Sequence, residues 1–320
     1  MEILFLLIGL AMLIVGANYL VESSVAIAKR AKLSDFVIGL TIVGIGTSAP
    51  ELLISISSAL NGHGDISLGN AVGSNICNTL LILGVTAAIK PFTIERNTLK
   101  RDIPFNIFTS IFLVALLCVD MLINNAKGFA LSRIDGIIFL IVFAGYMTYT
   151  VRANKAHDEY EESSSSCLSS KPLWLTIAIA IFSLSVLLWG GNLFLDSAVI
   201  LAHNWGMSEA VISLTIVAIG TSLPELITSI IAALKGNPQL ALGNVLGSNI
   251  FNILLILGAS SLISPFEIIG FSTTDFVMLV FSAVLVYVSA FTLGKMKVDR
   301  TEGIIFIAVY IAYTAHLLMK

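Results

Sequence analysis

An all-α integral membrane protein of ten transmembrane helices, arranged as two inverted five-helix repeats with broken helices, is the fold class the sequence predicts. Three observations predict it. The chain of 320 residues is 57% hydrophobic and 12% charged, with mean hydropathy +0.97, whereas a soluble domain carries about 25% charged residues. Apolar runs of about 18 or more residues recur from end to end, each long enough to cross a hydrocarbon core of about 30 Å. They lack the period-2 alternation of membrane β-strands and are too long for them. Finally, Leu33–Phe92 aligns with Met207–Phe266 without a gap, and about 35 of the 60 positions are identical, the mark of an internal duplication.

The spans lie near 2–22, 36–60, 66–89, 103–123, 132–152, 172–200, 209–234, 239–263, 273–293 and 302–319. The first lacks a basic start and runs on into polar residues, so it reads as a retained helix. The second contains Gly44, Gly46 and Pro50. A proline removes one helical N–H and clashes with the carbonyl four residues back, which predicts a break that frees carbonyls near Gly44–Thr47. Open backbone at membrane depth survives only where protein, water or ions satisfy it. The third span opens with a small-residue motif suited to close helix contact.

The first half takes in residues 1–153, with its repeat core at 36–90. Residues 154–171 hold the acidic run Asp158–Glu162 and the serines Ser163–Ser166, a linker composition. The second half, 172–320, has its repeat core at 209–264. The likeness extends to Gly16-Ala17-Asn18 with Gly190-Gly191-Asn192, and to Glu22 with Asp196. Five spans per half is an odd number, so the second copy starts from the opposite side of the membrane. With the amino terminus outside, about 14 of the 17 Lys and Arg residues fall on cytoplasmic loops, leaving only Lys127, Arg133 and Lys320 outside. Both termini are therefore expected outside the cell membrane and the linker inside.

Within each repeat core stands a Gly-Thr-Ser-x-Pro-Glu run: Gly46-Thr47-Ser48-Ala49-Pro50-Glu51, and Gly220-Thr221-Ser222-Leu223-Pro224-Glu225. Each is followed by Gly-Asn-x-x-Gly-Ser-Asn-Ile-x-Asn, from Gly69 to Asn78 and from Gly243 to Asn252. An intramembrane carboxylate is costly and signals function; one repeated in both halves does so twice. Ser74 and Asn78, four apart, share a helix face and are expected to point toward Glu51, with Ser248 and Asn252 toward Glu225. Asn70 and Asn244 are expected to pin helix entries, and Asn75 and Asn249 to make structural hydrogen bonds. The inventory is carboxylate, hydroxyl, amide and freed carbonyl oxygen, the ligand chemistry of hard cations; Ca²⁺ takes about 6–8 such oxygens. Two carboxylates supply the charge that one Ca²⁺ or two Na⁺ would neutralise.

No cofactor is expected, and no basic cluster suggests nucleic acid. The three cysteines lack metal-ligand spacing, and Cys77 reads as a small buried hydrophobe. Glu22 and Asp196, near span ends, read as interfacial charges. The four histidines have no repeat partners and read as solvated. Enzyme function is not expected: there is no His-Glu-x-x-His motif. A channel is opposed by a midplane site built from two inverted halves.

The doubled motif pair resembles the α-repeats of the cation/Ca²⁺ exchanger superfamily, in particular its prokaryotic sodium/calcium exchangers, over nearly the whole chain. The resemblance implies that Glu51 and Glu225 are shared ligands of Ca²⁺ and Na⁺, bound as transported substrates, and that Thr47 and Thr221 offer carbonyl oxygens to Ca²⁺. It implies that Ser48, Ser74, Ser222 and Ser248 line flanking Na⁺ sites with the carbonyls of Gly44 and Ala218, and that Asn78 and Asn252 complete the centre. It further implies exchange of about three Na⁺ for one Ca²⁺ by alternating access, with the first helix of each half sliding over the rest. Some members, including K⁺-dependent ones, carry Asp where this chain has Asn252, which implies K⁺ independence here. Proton/calcium relatives carry a different core motif, Gly-Asn-x-x-Glu; the alternatives are H⁺/Ca²⁺ exchange on the same carboxylates and K⁺-dependent Na⁺/Ca²⁺ exchange. The linker is far too short for a folded Ca²⁺-sensing domain. The two halves form the site within one chain, so a monomer surrounded by lipid suffices.

Overall fold

A computed structural model describes residues 1–123, 129–154, 167–206, 218–268, 273–292 and 296–319. Helix α1 (Glu2–Ala31) outruns the expected span end near residue 22. Its last turn carries Lys29 and Arg30, whose charges suit the negative end of a helix dipole, and Lys32 closes it in a left-handed conformation, φ 53°. The second span is two helices, α2 (Asp35–Thr47) and α3 (Ala49–Leu60), bent by 48°. The break falls at Ser48 (φ −82°, ψ 11°), with Pro50 in the first turn of α3, where its missing N–H costs nothing.

Helix α4 runs from Gly64–Ile76 through a π-helical segment, Cys77–Ile82, to Leu83–Ile89. Next come β1 (Phe92–Thr93), α5 (a π turn at Thr98–Asp102 leading into Ile103–Ile123), β2 (Phe129–Leu131) and α6 (Arg133–Asn154). Residues 155–166, most of the expected linker with its acidic and serine runs, lie outside the described residues, as do 209–217, the expected start of the seventh span. The second half continues with α7 (Leu173–Asn204), α8 (Ala218–Thr221) and α9 (Leu223–Leu234). Helix α10 comprises Pro238–Ile250, a π segment Phe251–Leu257 and Gly258–Ile263. Strand β3 (Phe266–Ile268), α11 (Thr273–Ser289), β4 (Lys297–Val298) and α12 (Arg300–Leu318) complete the chain.

Among the described residues, seven helices are each long and apolar enough to cross a membrane, and the bent α2–α3 pair makes eight. Helices α9 and α11 are shorter apolar helices. The chain is a multi-pass membrane protein. Helix α10 is the most enclosed candidate span and α4 the next, whereas α1, α6, α7 and α12 expose most of their apolar surface. This ranking puts the two motif helices at the centre and the others around them.

Helices α1 and α7 pair along their length through glycine. A Cβ on Gly16 would meet the backbone nitrogen of Leu187 at 2.7 Å, and one on Gly190 would meet the Met12 side chain at 2.6 Å. Small residues that let backbones touch are how helices associate in lipid, where no hydrophobic force draws them together. Glu22, read from sequence as an interfacial charge, pairs with Lys235 at 2.6 Å and so ties α1 to the end of α9.

Two short antiparallel ribbons join the halves. Phe92 lies opposite Val298 and Thr93 opposite Lys297; Phe129 lies opposite Ile268 and Leu131 opposite Phe266. In each ribbon, the strand after the third span of one half pairs with the strand after the fourth span of the other. A second repeated device escaped sequence reading. Asp102, at the start of α5, accepts from the Tyr146 hydroxyl of α6 at 3.0 Å, and Asp275, at the start of α11, accepts from Tyr313 of α12 at 3.0 Å. An aspartate at the same place in two apolar spans was the available signal.

Candidate cation site

The two breaks bring both Thr-Ser-x-Pro-Glu runs to the middle of the molecule. Glu51 and Glu225 stand in the first turns of α3 and α9 and are each 1% exposed. A helix amino terminus carries partial positive charge, so each carboxylate sits where its own helix favours an anion. An asparagine clamps each helix: Asn70 Nδ2 donates to the Glu51 carbonyl (3.1 Å) and to Ser55 Oγ (3.0 Å). Asn244 Nδ2 donates to the Glu225 carbonyl (3.4 Å) and to Ser229 Oγ (3.0 Å). Asn70 and Asn244 therefore pin helix entries as expected, those of the two glutamate-bearing helices.

Contacts cross between the halves. Ser48 Oγ donates to Glu225 Oε1 at 3.0 Å and lies 2.9 Å from Ser248 Oγ, and Thr47 Oγ1 donates to Asn244 Oδ1 at 3.2 Å. The π segment that begins at Cys77 and carries Asn78 packs against α9, which holds Glu225; the one that carries Asn252 packs against α3, which holds Glu51. Each asparagine stands in the opening turn of a π segment, a distortion that recurs at functional sites. Asn75 and Asn249 make the structural bonds expected of them, across the halves: Asn75 Nδ2 to the Asn249 carbonyl (3.0 Å) and Asn249 Nδ2 to Thr79 Oγ1 (2.8 Å).

The two breaks differ in detail. The Ser48 N–H donates to the Gly44 carbonyl at 3.1 Å, and the Ser222 N–H donates to the Ile219 carbonyl at 3.1 Å. The Gly44 carbonyl thus already accepts from the Ser48 N–H and, at 3.5 Å, from the Thr47 hydroxyl. Ser48 is engaged on both sides, while Ser222 Oγ, its repeat mate, is buried and unpartnered. Thr221, Ser74 and Asn78 are also buried.

Buried oxygens without partners define the chemistry. Glu51 Oε2, Glu225 Oε2, Asn78 Oδ1, Asn252 Oδ1 and Ser222 Oγ all belong to the two motifs. Each buried orphan costs about 1–3 kcal/mol, more where charge is involved, unless a donor or a cation answers it. Among the described residues no group of three or more His, Cys, Asp or Glu side chains forms. The donor set is hard oxygen, suited to Na⁺ and Ca²⁺ rather than to transition metals.

Residues 1–152 and 175–319 match the family model described as sodium/calcium exchanger protein. The chain is 37% identical to the putative antiporter CaxA of Alkalimonas amylolytica over 97% of its own length and 96% of that protein's. It is 34% identical to the sodium/calcium exchanger MaX1 of Methanosarcina acetivorans, again over 97% and 96% of the two chains. Its fold superposes on the crystallised sodium-calcium exchanger NCX_Mj with a TM-score of 0.81 at 35% identity, covering 98% of this chain and 97% of that one. The chain belongs to the sodium/calcium exchanger family, within the cation/Ca²⁺ exchanger superfamily that its doubled motif resembles.

Proposed function

We propose that the chain is a secondary antiporter that exchanges Na⁺ for Ca²⁺ by alternating access, at a midplane site centred on Glu51 and Glu225. The observation that carries this reading is the set of buried, unpartnered oxygens contributed by both motifs. Two carboxylates neutralise one Ca²⁺ or two Na⁺, so the ions compete for the same ligands and cannot share the centre. Thr47, Thr221, Ser48, Ser222, Ser74, Ser248 and the carbonyls of Gly44 and Ala218 complete the cation shells, with Asn78 and Asn252 at the centre. About three Na⁺ move against one Ca²⁺, which makes transport electrogenic. Neutral Asn252 favours K⁺ independence, because it removes a charge and with it one reason to bind K⁺.

The architecture that goes with this reading is ten spans in two inverted halves, 1–153 and 172–320, with both termini outside and the linker inside the cell membrane. The ribbons support the inversion. Parallel halves would put the ends of the third and fourth spans on opposite membrane faces and force each ribbon to span the bilayer; inverted halves put them on one face. The α1–α7 pair is the moving unit. It rests on the breaks through Leu184 beside Gly46 and Leu195 beside Gly220, so its displacement uncovers the site on one side at a time. A monomer in lipid provides all of this.

Proteoliposomes loaded with Na⁺ and diluted into Na⁺-free buffer with ⁴⁵Ca²⁺, with pH clamped on both sides, test the proposal. Ca²⁺ accumulation that collapses when the Na⁺ gradient is removed is the expected result. Uptake that ignores Na⁺ and follows a proton gradient would replace this reading with H⁺/Ca²⁺ exchange.

A further inference from the structure

The neutral side chain at Asn252 raises a problem that the structure resolves. A carboxamide has an acceptor end and a donor end, and only the oxygen serves a cation; the NH₂ end repels one. We infer that Asn75 is a positioning residue that locks the Asn252 carboxamide with its oxygen toward the cation, which lets an uncharged residue act as a ligand. The inference rests on the site proposed above.

The orientation follows from a chain of two hydrogen bonds that begins at an unambiguous group. The backbone carbonyl of Asn249 can only accept. The Asn75 end that meets it at 3.0 Å is therefore Nδ2, and the other end of Asn75 is Oδ1, an acceptor. The Asn252 end that meets Asn75 Oδ1 at 3.0 Å must then be Nδ2. This leaves Asn252 Oδ1 as the end turned away from Asn75, buried and without a protein partner. Asn75 and Asn252 are 2% and 1% exposed, so water does not compete for either bond. The relay belongs to one half alone. Asn249, the repeat mate of Asn75, donates its amide to Thr79 Oγ1, and its own Oδ1 is buried without a partner, so it accepts nothing from Asn78.

A carboxylate at position 252 would need no such lock, because both of its ends are oxygen. It would also face Asn75 Oδ1 acceptor to acceptor. Asn75 is therefore helpful beside Asn252 and unhelpful beside an aspartate, and this change of sign separates positioning from a merely structural role.

The test is equilibrium ⁴⁵Ca²⁺ binding to the purified full chain, with Asn75→Ala made in the native and in the Asn252→Asp backgrounds. In the native background Asn75→Ala should weaken Ca²⁺ binding about 10-fold or more, the usual effect of losing a residue that orients a metal ligand. The KM for Ca²⁺ in liposome flux should rise while the maximal rate changes less. In the Asn252→Asp background the same substitution should leave affinity within about twofold or improve it. An equal loss in both backgrounds, or no loss in the native one, overturns the inference. If Asn75→Ala does not fold, Asn75→Ser is read in the same two backgrounds by the same criterion. A native chain that binds no Ca²⁺ at all overturns the proposed site itself, and the inference with it.

Discussion

Replacing Glu225 with glutamine abolishes Na⁺-driven Ca²⁺ uptake, and Glu51→Gln does the same, while both variants still insert and purify as the native chain does. Glutamine keeps the shape of glutamate and its acceptor oxygen, so the Ser48 hydroxyl retains a partner at position 225. The charge alone is lost. Both side chains are 1% exposed, so water cannot stand in for it. Removing one partner of a buried charge pair costs about 3–5 kcal/mol, roughly 10² to 4 × 10³-fold in affinity. Uptake by either variant at more than a tenth of the native rate, measured in the same proteoliposomes, would contradict the assignment. The Asn clamps should survive both changes, because Asn70 and Asn244 bond the backbone carbonyls of these residues and the neighbouring serines.

The second large effect is on folding. Gly243→Val should destabilise the chain by about 3 kcal/mol, the upper range for forcing bulk into a packed interior. The new Cβ would lie 2.2 Å from the Phe36 carbonyl oxygen, and a few residues along, a Cβ on Gly247 would lie 2.4 Å from that of Leu40. The obstacle is backbone, which cannot swing aside as a side chain can. Helix α10 lies against α2 along this seam, and the seam holds the two motifs together. A sharp drop in thermal stability in detergent, against a native-like Gly145→Val control in open space, is the expected pattern. A variant as stable as the native chain would show that α2 and α10 do not approach this closely.

The glutamates, the helix breaks and the duplication were legible in sequence because each rests on a strong local rule. Proline stops a helix wherever it falls, and a carboxylate in an apolar run has few bland explanations. The π segments at Cys77 and Phe251 were not legible, because no residue pattern distinguishes a π turn from an α turn. That Asn70 and Asn244 pin helix entries was legible, but their partners were not: each bonds a backbone carbonyl, which carries no sequence signature, and a serine on the same helix. The Glu22–Lys235 bond joins residues of different halves, and their repeat mates, Asp196 and Asn61, cannot form an ion pair. A repeat-based search could not find it.

The central claim is that Na⁺ and Ca²⁺ bind the same oxygens between Glu51 and Glu225. Competition at equilibrium reaches it most directly. With purified chain in detergent, ⁴⁵Ca²⁺ binding is measured as Na⁺ is raised, with ionic strength held constant by a large organic cation. One Ca²⁺ should bind per chain, Na⁺ should displace it completely and cooperatively, and Glu51→Gln should remove both effects together. Ca²⁺ binding that persists unchanged in saturating Na⁺, or that survives Glu51→Gln, would contradict a shared site.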